Sequence, residues 1–380
     1  MKRNRLTSVL AAALATTMAF TACGSSNSNS GNDSLKSNDT TTSADSKNEE
    51  SADGYEVALV TDIGTIDDKS FNQGAWEGVE KYGEEKGVSY KYHKPVEKTT
   101  VAYEDTMKLA IEGGAKVVVC PGYLFEQAVY ELQTEYPDTK FILIDGEPND
   151  GSGTYKTAEN TLPILFEEDQ AGFLAGYAAV YDGYTKLGFM GGLALPAVMR
   201  YGYGYIQGAD YACEELGIDS VELKYNYTGT FTASPEVASA AAAWYQSGTE
   251  VIFGCGGGIG NSIMSAAEDA NAVMIGVDVD QSSESDSVVT SAMKLLSNAV
   301  YDGVKSYFED EFKGGETVTY DASVDGVGLP MDSSKFKKFD EKTYEDIYAK
   351  VKSGEVKIDN DVTKEVTGIE TKHVKVVVVE

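Results

Sequence analysis

Residues 57–78 read VALVTDIGTIDDKSFNQGAWEG, and this stretch decides the fold class. Val57, Ala58, Leu59 and Val60 form a short apolar run of the kind a strand buried on both faces requires. The run breaks into a polar loop carrying Asp62, Gly64, Asp67 and Asp68. Ser70 stands where a helix cap is expected, and Phe71, Ala75, Trp76 and Val79 recur at helical spacing, which predicts a helix to about Gly87. Strand, polar loop and helix in this order are how an α/β sheet opens a ligand site beyond the carboxyl ends of its strands. Phe71 and Asn72 fall at the helix start, where an aromatic face and an amide suit a flat polar ligand. Phe71 serves equally as a packing residue of the first helical turn, and the dipeptide alone does not separate the two roles.

The pattern repeats along the chain. Apolar strands are expected at 57–62, 88–93, 116–121 and 140–145, then at 187–191, 221–227, 250–254 and 273–277, with helices between them. A further strand, 288–293, leads into a helix reaching about Phe312. Such alternation argues for parallel sheets with crossover helices, arranged as two doubly wound lobes. Residues 54–182 with 288–312 are assigned to the first lobe and 183–280 to the second. Residues 313–380, with a helix near 341–351 and a β-rich end at 374–379, carry no lobe assignment.

The amino terminus reads as an export leader over residues 1–22. Lys2, Arg3 and Arg5 precede an apolar run from Leu6 to Phe20 that is too short to span a bilayer. Cys23 follows Thr21 and Ala22 and is followed by Gly24, the pattern of a bacterial lipoprotein cut before a cysteine that is then lipidated. Residues 23–53 are almost wholly Ser, Asn, Asp, Thr, Lys and Glu, and read as a disordered tether. The expected location is the extracytoplasmic face of the cell membrane.

Composition excludes several classes. The formal net charge is −30, and once the leader is removed Arg200 is the only arginine. Nucleic acid is excluded as a partner, because its binding rests on clustered Lys and Arg. Cys120, Cys213 and Cys255 have no metal-ligand spacing, and with only His93 and His373 no zinc site or histidine-based triad is expected. Cys120 and Cys255 end apolar strands and read as small buried hydrophobes. No cofactor is expected, and the chain is expected to be a monomer.

Several segments, in order, carry a resemblance. They are the opening stretch, EEDQAGFLAGYAA at 167–179, GADYACEELG at 208–217, IFGCGGGIGNSIMSAA at 252–267, IGVDVDQ at 275–281 and TSAMK at 290–294. Together they resemble the basic membrane lipoprotein family, substrate-binding proteins that hold nucleosides for ABC importers. The resemblance implies the type I periplasmic-binding-protein fold, a purine nucleoside as ligand, and an ABC permease with its ATPase as partners. It implies that Phe71 and Phe231 stack on the base, that Asp62 and Asn72 read the base edge, and that Asp278 and Lys294 hold the ribose. Gly257, within the run 256–258, would let backbone approach the ligand closely. These residue types suit a nucleoside, whose base offers two π faces and whose ribose offers hydroxyls to a carboxylate.

Bland roles remain open beside these. Asp278 and Asp280 can simply solvate a loop end, Lys294 can be a surface lysine, and Arg200 can pair with surface acids. Tyr201, Tyr203 and Tyr205 alternate with glycines, which suits a packed helix better than a stacking ladder. The run GCGGGIG lacks the Gly-Lys-Ser/Thr ending of a phosphate-binding loop. Two other functions stand as alternatives: a riboflavin, sugar or signal-molecule binder of the same fold, and, more remotely, a calcium-dependent nucleoside hydrolase suggested by VTDIGTIDD. The latter pattern wants an aspartate where Val60 stands. No catalytic residue is expected.

Overall fold

The computed structural model describes residues 54–379. The leader, the tether and Cys23 lie outside the described residues. Within them the chain runs β1 (Val57–Val60), α1 (Phe71–Lys86), β2 (Tyr90–His93), α2 (Thr100–Glu112), β3 (Val117–Pro121), α3 (Glu126–Glu135), β4 (Lys140–Ile144) and β5 (Thr161–Phe166). It continues with α4 (Glu168–Tyr181), β6 (Lys186–Gly191), α5 (Pro196–Leu216), β7 (Val221–Tyr227), α6 (Pro235–Gln246), β8 (Val251–Cys255), α7 (Ile259–Ala270), β9 (Val273–Asp278) and β10 (Val288–Lys294). It ends with α8 (Leu296–Phe308), β11 (Val318–Tyr320), β12 (Val327–Gly328), α9 (Glu341–Lys352) and β13 (Val374–Val378). No helix among the described residues is long and apolar enough to cross a membrane.

Two sheets result. The first has the order β11-β5-β4-β3-β1-β2 and is parallel throughout. The second has the order β12-β10-β9-β8-β6-β7-β13, parallel except for β12. In each, the strand order reverses beside the first strand of the unit, between β1 and β3 and between β6 and β8. Ligands of open α/β sheets bind at such reversals, outside the carboxyl ends of the strands.

The helix starts follow local chemistry. Ser234 caps α6 by accepting from the Val237 N–H at 3.3 Å, Thr99 caps α2, and Asp340 caps α9. Ser70 does not cap α1. The Asp68 carboxylate does so instead, accepting from the backbone N–H groups of Ser70, Asn72 and Gln73 at 2.9–3.1 Å.

The lobe boundaries differ from the sequence reading in two places. Strand β10 pairs in parallel with β9 and belongs to the second sheet, not the first. Only the following helix, α8, returns to the first lobe, where Gly78 of α1 lets the Ser297 carbonyl and Val300 approach. Helix α4, expected in the first lobe, packs on α5 of the second. Its Gly172 and Gly176 receive the carbonyl oxygens of Tyr201 and Tyr205, while Gly204 and Gly208 of α5 receive those of Asp169 and Phe173. The reciprocal glycines bring the two helix backbones into direct contact. Tyr201 and Tyr205 are buried with their rings edge-on to Phe253 of the second sheet, and the buried Tyr203 donates its hydroxyl to the Lys364 carbonyl, so all three serve packing.

The chain therefore crosses between lobes three times: from β5 to α4, from β10 to α8, and from β11 to β12. The crossings run side by side, with the Glu167 N–H donating to the Tyr320 carbonyl at 3.1 Å and the Leu295 N–H to the Gly326 carbonyl at 3.0 Å. Beyond β12 the chain stays on the second lobe. There one oxygen of Asp182 accepts from the N–H groups of residues 337–339, one oxygen of Asp210 accepts from those of 372–374, and β13 extends the sheet beside β7.

A Cβ added at Gly208 would lie 1.9 Å from the Phe173 carbonyl oxygen, with backbone on both sides and nothing able to yield cheaply. Gly208→Ala is expected to lower stability by about 1–3 kcal/mol in urea unfolding. An unchanged midpoint would show that α4 and α5 separate at no cost.

Candidate ligand-binding cleft

Between the lobes lies a cleft of about 700 Å³, lined from the first lobe by the loops after β1, β3 and β4 and from the second by those after β6, β7, β8 and β9. All seven residues expected from sequence line it: Asp62, Phe71, Asn72, Phe231, Gly257, Asp278 and Lys294. Phe71 comes from one lobe and Phe231 from the other.

Each is held by its surroundings. Asn72 is buried and its amide is engaged on the loop before it. Nδ2 donates to Asp62 Oδ1 and to Asp68 Oδ2, both at 2.9 Å, and Oδ1 accepts from the Asp62 N–H at 3.3 Å. Asp62 also accepts from the Gly64 N–H through Oδ1 at 2.6 Å, and Oδ2 has no hydrogen-bond partner among the described residues. Burial pushes the Asp62 carboxyl above its ordinary value, partly offset by the Gly64 N–H and the Asn72 amide. Asn72 thus orients Asp62, and Asp62 keeps one oxygen for a ligand.

Phe231 sits against the glycine loop. A Cβ at Gly192 would come within 2.3 Å of its ring and one at Gly256 within 3.0 Å, and Gly258 faces its carbonyl oxygen. Gly256 and Gly257 have φ of 153° and 54°, which favour glycine. The glycine run therefore makes room for the Phe231 loop while forming a wall of the cleft.

The floor is a buried charge cluster. Lys294 is 3 % exposed, so it is no surface lysine. Its ammonium bonds Asp145, lies 3.4 Å from Glu168 Oε1 and 3.8 Å from Asp278 Oδ1. It also stands 4.8 Å from the centroid of Phe71, with the rings of Phe166 and Tyr201 close by. Burial alone would depress its pKa, but the three carboxylates raise it above the ordinary lysine value. Asp145 is pushed up to about 6 by burial, against the pull of Lys294. Burial also raises Asp278, again opposed by Lys294. Asp145 and Asp278, at the ends of β4 and β9, both adopt left-handed backbone, with φ of 56° and 68°. That conformation is costly for a residue with a Cβ and turns both carboxylates toward the lysine.

Sequence reasoning did not select Asp145, Glu168 or Arg200 for the site. Arg200 pairs not with surface acids but with Glu168, which is fully buried, through Nε at 2.6 Å. One signal was available: Arg200 is the only arginine after the leader. Asp280 does hold a loop, accepting from the Ser282 N–H and the Ser333 hydroxyl. Cys120 and Cys255 are buried, as expected of small hydrophobes.

Residues 55–361 match the model of the Bmp family, described as ABC transporter substrate-binding protein PnrA-like. The chain belongs to the Bmp family. It is the substrate-binding component of an ABC transporter, built on the type I periplasmic-binding-protein fold. It is 29 % identical over 301 residues to the ABC transporter nucleoside-binding protein BmpA of Lactococcus lactis, covering 73 % of this chain and 82 % of that one. An uncharacterised lipoprotein of Pyrococcus abyssi is 32 % identical over 288 residues, covering 72 % and 68 %. Among solved structures, an ABC transporter solute-binding protein from Aeropyrum pernix superposes with a TM-score of 0.66 at 24 % identity, covering 83 % of this chain and 90 % of that one.

Asp169, next to the cluster on α4, is 3 % exposed and its Oδ1 has no partner among the described residues. Burial first, then the Glu167 carboxylate, pushes its pKa from 3.8 up to about 8. The folded chain therefore holds a proton that the unfolded chain has lost. Stability from this group is complete below about pH 4 and is lost as pH rises through about 8. Asp169→Asn mimics the protonated form, so its stability relative to wild type should grow between pH 4 and pH 8. A pH-independent difference in urea unfolding would show that Asp169 is ionised in the fold throughout.

Proposed function

We propose that the cleft captures a purine nucleoside between the lobes and presents it to a permease driven by a cytosolic ATPase. The observation that carries this reading is one cleft holding an aromatic from each lobe, Phe71 and Phe231, above the Asp278–Lys294 pair. An aromatic ring on a base contributes about 1–3 kcal/mol. A buried carboxylate beside an ammonium supplies both acceptor and donor to vicinal hydroxyls. The unpartnered Asp62 oxygen suits the donor edge of a base. The printed name of the Lactococcus relative, a nucleoside-binding protein, agrees with this chemistry.

Binding without turnover fits the same geometry. Asp68 is occupied in capping α1 and Asp62 spends Oδ1 on Gly64 and Asn72, leaving Oδ2, one oxygen where a hard cation wants roughly six or more.

The division of labour is testable by calorimetry. Phe71→Ala should weaken guanosine and guanine alike, because stacking acts on the base. Asp278→Ala should weaken guanosine by about 2–3 kcal/mol, roughly thirty- to 150-fold, and guanine far less. Equal losses for both ligands would refute the sugar assignment. Riboflavin or a sugar binding where nucleosides do not would replace the ligand class.

Anchoring is the second part of the proposal. Cys23 carries the lipid, and the polar segment behind it spaces the folded lobes from the extracytoplasmic face of the membrane. The names of relatives as lipoproteins support this. Cys23→Ala should move the protein from the membrane to the soluble fraction of expressing bacteria with nucleoside affinity intact. A variant that stays on the membrane would place the anchor elsewhere.

A further inference from the structure

Ser70 precedes α1 in the place of a capping residue, yet its hydroxyl caps nothing, because Asp68 has taken that role. The hydroxyl is fully buried and donates to Asp278 Oδ2 at 2.5 Å, from the first lobe to the second. The adjoining residue is held in the same direction. Gln281 Nε2 donates to the Lys69 carbonyl at 2.6 Å. Gln281 is itself fixed within the second lobe. Its Oε1 accepts from the Val277 N–H at 3.1 Å, its own N–H donates to Ser291 Oγ at 3.0 Å, and it is 1 % exposed. Gly276 makes space for it, since a Cβ there would lie 2.4 Å from Oε1. Lys69 has φ of 60°, so the gripped carbonyl is presented from left-handed backbone.

Two successive residues of one lobe are thus gripped by two residues of one loop in the other. The gripped pair leads directly into Phe71 and Asn72, and one of the gripping residues is Asp278. We infer that Lys69 and Ser70 with Asp278 and Gln281 form an inter-lobe clasp that aims the Asp278 carboxylate and holds the lobes toward closure before ligand enters. The aiming half rests on the nucleoside reading above; the closure half does not. Ser70 is a positioning residue, acting on ligand through Asp278. Its bond is a hydroxyl-to-carboxylate bond removed from water, which is among the stronger neutral-to-charged pairs. Rotation of the lobes about the three crossings must break it together with the Gln281 bond. A free protein that is already closed a large part of the time loses less affinity to the opening equilibrium.

The test uses the full chain in a Cys23→Ala background with spin labels at Val96→Cys and Glu236→Cys, one exposed position on each lobe. The remaining cysteines, Cys120, Cys213 and Cys255, are buried. Without ligand, the reference protein should show one dominant short distance, and Ser70→Ala and Gln281→Met should each lengthen or broaden it. Guanosine affinity should fall tenfold or more in Ser70→Ala and less for guanine, and Ser70→Thr should retain it. Unchanged distances and unchanged guanosine affinity in both variants would overturn the clasp. Equal loss of guanosine and guanine would overturn the aiming role. Should Ser70→Ala fail to fold, Gln281→Met alone decides the closure. A shifted distance in a protein that binds no nucleoside would sustain the clasp and defeat the nucleoside reading.

Discussion

A lysine ammonium buried among carboxylates from both lobes constrains everything around it. Lys294 ends β10 at a crossing, Asp145 ends β4 of the first sheet, Asp278 ends β9 of the second, and Glu168 opens the crossing helix. Taking an ion out of water costs several kcal/mol, and attraction repays this only where geometry is good and the remaining valences are met. Three carboxylates against one ammonium would leave excess negative charge, which the second cation, Arg200, reduces by holding the far oxygen of Glu168. The cluster still carries more acid than base, and burial first, then the neighbouring Glu168 and Asp278 carboxylates, raise Asp145 against the pull of Lys294. A neutral ligand that donates hydroxyls to such a cluster relieves part of the cost, because a carboxylate short of donors gains more from each one.

The cluster also accounts for features that look wasteful in isolation. Two aspartates adopt left-handed backbone where glycine would be at ease. The strain is tolerable only because the surrounding sheets fix both strand ends and the lysine rewards both carboxylates. The crossings bring these groups together. With α4 seated on α5 through reciprocal glycines, Glu168 is delivered beneath the cleft, and with β10 in the second sheet, Lys294 arrives at the carboxyl end of that strand, within reach of the first lobe's Asp145.

Most of the fold was legible because it rests on local patterns. The bounds expected for β7, 221–227, coincide with those observed, its buried residues alternating along the strand, and the helices expected on either side of it begin at prolines, Pro196 and Pro235. Strand β5 was not foreseen. Pro163 sits in its middle, and proline within a run argues against a strand. It is tolerated here beside the short β11, near the edge of the sheet. The lobe assignments of α4 and β10 failed for another reason. Sequence adjacency tied each to its predecessor or successor, whereas packing tied them to the other lobe. The small residues of α4 announced a close neighbour but not which one.

The site divides in the same way. Loop residues that follow strands were found, since the sheet topology sends all such loops to one place. Of the charge cluster, Asp278 and Lys294 came through the family resemblance, but Asp145 and Glu168 did not, because they meet Lys294 over separations of 149 and 126 residues. No spacing encodes such a contact. What the sequence did hold was a symmetry: an aspartate at the end of the fourth strand of each lobe, Asp145 after β4 and Asp278 at the close of β9. In two lobes of like strand order that meet face to face, equivalent strand ends approach one another across the cleft. Two like charges placed so cannot both stay ionised without a cation between them. The lysine at the end of β10 is that cation, and the pairing of strand ends could have been drawn from the lobe repeat before any distance was known.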